Sequence, residues 1–305
     1  MHEYSEVICE ERKIECFYCG SNELRKYGTY KGTQYFLCKQ CGRKFTAKDT
    51  YPRMKYEKAT IIHALTNYYN GMSTNNISQS FNDLYKCNIN KTTIWRWVIK
   101  YSDRVNRFTM NLQPRLSNVW VADETVIDVG GKKYWYWDII DTGTRFLIAT
   151  YFSKTRTTQG AIALFRMAKE RSKTMPTLIL TDKLHPYNPA FNKVFYTRYA
   201  DNRVVHLTSE GFGSKTNINL IERFHSTIKT RTKVMRSLKK PRTAKIILDG
   251  FINHYNFLME HGSLEGRTPA QESGIGGSIQ NWGDLIRLSY KSPVVKRKVV
   301  LEGTQ

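Results

Sequence analysis

Val119-Trp120-Val121-Ala122-Asp123-Glu124-Thr125-Val126-Ile127-Asp128-Val129, then Gly130-Gly131, then Lys132-Lys133-Tyr134-Trp135-Tyr136-Trp137-Asp138-Ile139-Ile140, is the stretch that decides the fold. Both runs are rich in β-branched and aromatic residues and read as strands. The glycine pair between them reads as a hairpin turn. A third strand is expected over 145–152, after Asp141-Thr142-Gly143. Further on, 158–172 reads as a helix, 177–181 as a short buried strand, 189–200 as a helix and 204–207 as a short strand.

Three antiparallel strands followed by helices and short parallel strands describe an α/β domain with a ribonuclease-H-like mixed sheet. In such a sheet the first and fourth strands are neighbours. Asp123 interrupts the first apolar run, and Asp182 ends the run Leu178-Ile179-Leu180-Thr181, so the two acids are expected to meet. An acid at the end of a buried strand costs free energy unless something compensates it. Glu222 lies on a helix expected over 218–236, whose apolar face is Ile221, Phe224 and Ile228. Glu222, His225 and Lys229 share the adjacent polar face, which Lys233 and Arg236 continue. Taken alone, that helix is equally a solvated charged helix. Taken with Asp123 and Asp182, its acid completes a set that a pair of divalent cations would compensate. Glu124, Asp128, Asp138 and Asp141 read as ordinary strand or turn acids.

The segment before this domain carries Cys16-x2-Cys19 and Cys38-x2-Cys41, with 18 residues between the pairs. That spacing reads as one structural zinc ion in a four-thiolate ribbon, its hairpin turning at Lys31-Gly32. Disulfides are the competing use of four cysteines, but nothing in the sequence suggests secretion. Cys9 and Cys87 read as free thiols. Next come three expected helices: 56–69, one capped by Ser73, and 91–107 capped by Asn90. The third, with an apolar stripe of Ile94, Trp95, Val98 and Tyr101, carries Lys91, Arg96 and Lys100. The trio resembles a helix-turn-helix, with a plain helical connector as the alternative. Four segments result: a zinc ribbon over 1–50, an all-α helix-turn-helix domain over 51–112, the mixed-sheet domain over 113–262 and a C-terminal extension over 263–305.

Lys and Arg number 48 against 26 Asp and Glu, a formal net charge of +22 that points to a polyanionic partner. The bases are spread among 19 Tyr and 6 Trp, which favours nucleic acid over a membrane surface. A solvated Lys-rich surface is the plain alternative. No apolar stretch approaches the roughly 18 residues that span a bilayer. Met1-His2-Glu3-Tyr4-Ser5-Glu6 lacks the basic and apolar regions of a signal peptide. A cytoplasmic protein, associated with the nucleoid when bound to DNA, is expected.

The patterns Val-Ala-Asp-Glu-Thr, Leu-Thr-Asp and Asn-x-Leu-Ile-Glu-Arg-Phe-His-x-x-Ile-Lys-x-Arg resemble the DDE transposases of prokaryotic insertion sequences. The group typified by insertion sequence six is the nearest in pattern. His254-Tyr-Asn-Phe and Gly266-Arg-Thr-Pro-Ala extend the likeness over most of the chain. The resemblance implies that Asp123, Asp182 and Glu222 are catalytic ligands of two Mg2+ or Mn2+ ions, with Asp123 bridging them. It implies a phosphate-binding role for Lys229, and it extends to Asn219, Arg223 and His225 around the Glu. It further implies a DNA transposase that cuts transposon ends to give a 3′-OH and joins that 3′-OH to target DNA by phosphoryl transfer. The partners implied are double-stranded DNA, as terminal inverted repeats and target, and at least a second copy of the chain. Two departures stand out: 39 residues separate Asp182 from Glu222, with 207–216 assigned to an extra loop, and Lys183 follows Asp182 where a small residue is commoner. A DNA-binding regulator on an inactive scaffold and a ribonuclease-H-like nuclease are the other two readings.

Overall fold

The computed structural model describes residues 14–172, 174–199, 203–209, 219–234 and 238–291. At the N-terminal end, β1 (Leu24–Tyr30), β2 (Thr33–Cys38) and β3 (Lys44–Thr46) form a three-stranded antiparallel sheet. Lys31 and Gly32, both at positive φ, make the turn between β1 and β2. Three helices follow: α1 (Lys58–Tyr69), α2 (Thr74–Tyr85) and α3 (Lys91–Thr109). Ser73 accepts a hydrogen bond from the backbone N–H of Asn76, and Asn90 from that of Thr92. Such caps each hold a helix start by about 1 kcal/mol. The buried stripe of α3 is Ile94, Trp97, Val98, Tyr101 and Val105. Trp95, expected in that stripe, is only partly buried at its edge; the helical angle gives Trp97 the central place.

The larger sheet is built from β4 (Val119–Val129), β5 (Lys132–Asp141), β6 (Leu147–Ser153), β7 (Leu178–Thr181) and β8 (Val205–Thr208). Its order is β6-β5-β4-β7-β8. The first three strands are antiparallel, while β7 runs parallel to β4 and β8 parallel to β7. This is the ribonuclease-H-like mixed sheet. Gly130 and Gly131 sit at φ of 62° and 77°, the left-handed pair that a two-residue hairpin requires.

Strand alternation divides β4 between two cores. Val121, Ile127 and Val129 pack on the side of α6 (Asn219–Val234) and α7 (Pro241–Leu258). Trp120 and Ala122 pack on the side of α4 (Thr158–Arg171) and α5 (Tyr187–Phe195). Gly160 lets α4 lie against Trp137, since a Cβ there would sit 2.8 Å from the indole. The sequence pattern predicts α5 over 189–200. The helix starts two residues earlier, because Pro189 falls within the first turn, where its missing N–H costs nothing. It also stops at Phe195, and Tyr196 and Tyr199 beyond it are exposed.

The first core does not end at the sheet. It runs on through α1, α3, α7 and α9 (Trp282–Lys291). Asn256 of α7 pairs with both backbone groups of Leu147 in β6, while Asn253 accepts from Thr109 of α3 at 2.6 Å. The C-terminal extension therefore includes structure: a 3-10 turn (Gly262–Leu264), α8 (Pro269–Glu272) and α9, the last packed on α1 and α3. Trp282 stacks on Tyr69 with ring centroids 4.9 Å apart. Lys296, Arg297 and Lys298 lie outside the described residues. Among the described residues no helix is long and apolar enough to cross a membrane.

Candidate active site

Strand β7 stops at Thr181, paired one step before the acids of β4: Leu180 lies opposite Val121. Asp182 thus leaves the sheet beside Asp123. One carboxylate oxygen from each of Asp123, Glu124 and Asp182 lies within 4.8 Å of the others. Burial raises the pKa of Asp182; the Leu184 N–H that its Oδ1 accepts at 2.9 Å opposes this, and the charge of Asp123 adds to it. Burial likewise raises Glu124, against the hydrogen bonds of Tyr187 and Arg156 and with the charges of Asp182 and Asp123. Crowded, partly buried carboxylates of this kind fit a hard divalent cation, which prefers oxygen ligands and relieves their repulsion.

Glu124 reads in the sequence as an ordinary strand acid, and the structure corrects this. Adjacent residues of a strand point to opposite faces, so Glu124 turns away from Asp123 toward α5. Its Oε2 accepts from the Tyr187 hydroxyl at 2.7 Å, and its Oε1 from Arg156 Nε at 3.0 Å and from Nη2. Arg156 also lies over the Trp135 ring, 4.6 Å from its centroid.

Asp138 is likewise not an ordinary acid. It pairs with Asp123 across β4 and β5, shares its face and has no exposed surface. His225 from α6 fits between them, with Nε2 2.8 Å from Asp138 Oδ2 and Nδ1 3.4 Å from Asp123 Oδ2. Burial disfavours the charged ring, but the negative charge of Asp138 and the bonds to both acids outweigh it and raise His225 to about 10. Burial raises Asp138 to about 6 against the pull of His225. His225 is grouped on the polar face of α6 with the candidate DNA contact Lys229, but it is only 6% exposed and its ring turns inward onto these two acids. By contrast, Asp141 is the turn acid it is expected to be, accepting from Ser117 and Thr144.

Glu222 is exposed in the first turn of α6. It does not join the oxygen cluster, but it lines one open cleft of about 740 Å³ with Asp123, Glu124, His225 and Lys229. Lys229 is exposed there, and Arg223 is exposed outside the cleft lining. Lys233 continues the helix but its side chain is not described, and Arg236 lies outside the described residues. Of the loop assigned to 207–216, residues 207 and 208 belong to β8, and the stretch from 210 on lies outside the described residues. Lys91, Arg96 and Lys100 are exposed on α3.

The four cysteines converge at the other end of the chain. The Sγ atoms of Cys16 and Cys41 are 3.6 Å apart, and those of Cys19 and Cys38 3.5 Å. Tetrahedral zinc with bonds of about 2.3 Å spaces its sulfurs about 3.8 Å apart, whereas a disulfide needs about 2.05 Å. Burial raises Cys38, yet the Cys41 backbone N–H and the neighbouring thiols outweigh it and bring the thiol down to about 7. Burial pushes Cys16 up to about 12.

A ribonuclease-H-like sheet with acids gathered where its fourth strand stops defines a DDE-type polynucleotidyl transferase. Residues 117–261 match the family model of a DDE domain, a span that includes Asp123, Asp182 and Glu222. Over that span, just under half of its length, the chain carries a DDE domain of the insertion-sequence-240 transposase type. Among solved structures, it is similar to the HTLV-2 integrase catalytic core domain in complex with magnesium, at 20% identity and a TM-score of 0.40, over 53% of this chain and 98% of that one. It is similar also to a simian T-cell lymphotropic virus intasome, in complex with PP2A regulatory subunit B56 gamma, at 15% identity and a TM-score of 0.38, over 79% of this chain and 80% of that one. No curated protein matches the chain.

Proposed function

We propose that this transferase cuts DNA at the ends of an insertion sequence and joins the freed 3′-OH to target DNA, with Asp123, Asp182 and Glu222 as the catalytic carboxylates. The observation that carries this is the meeting of Asp123 and Asp182 at the end of β7, with Asp123 lining the same cleft as Glu222 and Lys229. The three acids would hold Mg2+ or Mn2+, two ions in the working site. When bound, these supply positive charge to the reacting phosphate and lower the pKa of the attacking water or hydroxyl. Glu124 is the nearer acid, but its oxygens are committed to Arg156 and Tyr187. We assign it to stiffening the strand under Asp123.

Lys229 stands two helical turns beyond Glu222 on the same side of α6 and takes a DNA phosphate in the cleft. Arg223, Lys233 and Arg236 are assigned to further DNA contacts, and Lys91, Arg96 and Lys100 on α3 to the duplex of the transposon end. The four cysteines hold one structural zinc ion. Two ends must be brought together, so the working form is a dimer or larger on DNA, in the cytoplasm on the nucleoid.

The test is strand transfer with Mg2+ and duplexes carrying the element's terminal inverted repeats. Joined products are expected from the native chain and none from Asp182→Asn, with gel-shift affinity within about twofold of native, since no DNA contact is lost. Joining by the variant would sink the assignment. Cut but unjoined DNA would mean a nuclease, and bound but intact DNA a regulator.

A further inference from the structure

We propose that Asp138 is a positioning residue for Asp123, acting through His225; this rests on the reading of Asp123 as a metal-holding carboxylate. Asp138 lies under the site without touching the cleft. It is wholly buried, opposite Asp123 in the β4–β5 ladder, with Oδ2 2.8 Å from His225 Nε2. The far nitrogen of the same ring is 3.4 Å from Asp123 Oδ2. The ring therefore spans the gap between the two acids.

The ring is wedged between the two acids: Asp138 holds its Nε2 side, and its Nδ1 side stands against Oδ2 of Asp123. Asp138 and His225 thus form a clamp behind the metal-holding acid. Hydrogen-bonded partners behind a ligand generally set its orientation, and losing one weakens metal affinity about 10- to 100-fold. The same arrangement explains why an acid is tolerated on a strand position with no solvent contact.

The experiment is calorimetric titration of the full chain with Mn2+, in the native form and in Asp138→Asn, His225→Gln, the double variant and Asp123→Asn. Asp138→Asn and His225→Gln are each expected to weaken Mn2+ binding about tenfold or more. The double variant should be no weaker than His225→Gln alone, because the two residues act in series. A purely structural Asp138 would lower the metal-free melting temperature and leave Mn2+ affinity as in the native chain. That result overturns the proposal, and native affinity in His225→Gln overturns it equally if Asp138→Asn does not fold. Asp123→Asn separates the clamp from the metal site it serves. Native Mn2+ affinity in that variant would overturn the metal-site reading itself, and the clamp with it.

Discussion

Tyr187 of α5 donates its hydroxyl to Glu124 Oε2 at 2.7 Å, from a position with no exposed surface, its ring edge-on to Trp137. Phenol and carboxylate thus satisfy each other inside the α4–α5 face, with Arg156 closing the second oxygen. Tyr187→Phe keeps the ring and removes the donor. Leaving a buried carboxylate oxygen short of its partner costs about 1–3 kcal/mol. Urea unfolding should show a loss in that range, and a loss near zero would mean that the pair is not formed.

His225 makes stability depend on pH at the alkaline end. Its folded pKa is raised, to about 10 against an ordinary value of 6.5, by Asp138 and Asp123 overcoming burial. Such a group contributes stability that is complete below the ordinary value and is lost as pH rises through the folded one. Unfolding free energy of the metal-free chain should therefore fall between about pH 7 and pH 10 more steeply in the native form than in His225→Gln. Parallel curves would remove His225 as the cause.

The proposed zinc site makes removal of the metal act locally and early. A ribbon of this size cannot bury a stable core alone, so a metal on its four cysteines would supply the folding free energy. A strong chelator, or Cys38→Ser, should release the β1–β3 sheet to proteolysis and leave the cleavage pattern of α1–α9 and the larger sheet unchanged. Protection of β1–β3 after verified metal loss would show that the hairpin stands without it.

Lys229 is read as a phosphate contact, not a specificity contact. Lys229→Ala should weaken DNA binding to all sequences about equally and reduce the slope of log affinity against log salt by about one. Filter binding across a salt series measures this. An unchanged slope would take Lys229 off the DNA.

Gly250 marks where α7 meets α1 and α3. A Cβ there would run into the Tyr69 hydroxyl and approach Ser102 Oγ to 2.8 Å, two groups already hydrogen-bonded to each other at 2.6 Å. Gly250→Ala should destabilise the fold by about 1–3 kcal/mol through overpacking, despite the better helix propensity of alanine. A thermal melt decides it, and a rise in melting temperature would mean that the contact yields freely.

The parts of this fold legible in the sequence are those governed by local chemistry. Ser73 and Asn90 cap because their side chains reach their own helix, and Gly130-Gly131 turns because both positions need positive φ. Asp182 is legible because an acid ending an apolar run marks a strand end. What stays hidden depends on contacts distant in sequence. Glu124 looks ordinary because neither Arg156 nor Tyr187 is near it in the chain. Asp138 does carry a signal: it and Asp123 each stand seven residues from their own turn glycine, so the hairpin register alone places them opposite one another. The partner between them, His225, comes from α6 and has no such arithmetic. The expected end of α5 fails because helix-compatible residues continue past Phe195 although nothing packs on Tyr196 or Tyr199.

Helix α7 holds Leu147 of the catalytic sheet through Asn256 and Thr109 of α3 through Asn253, within a single rigid rod. The basic face of α3 and the acids of β4 are consequently fixed in phase as well as in distance. A duplex gripped by Arg96 and Lys100 would offer the cleft only those phosphates that fall at one angular setting of the double helix. Lengthening the DNA between grip and cut by half a helical turn would then present the wrong strand, whereas a full turn would restore it. The protein would measure its substrate by rotation, with α7 as the gauge.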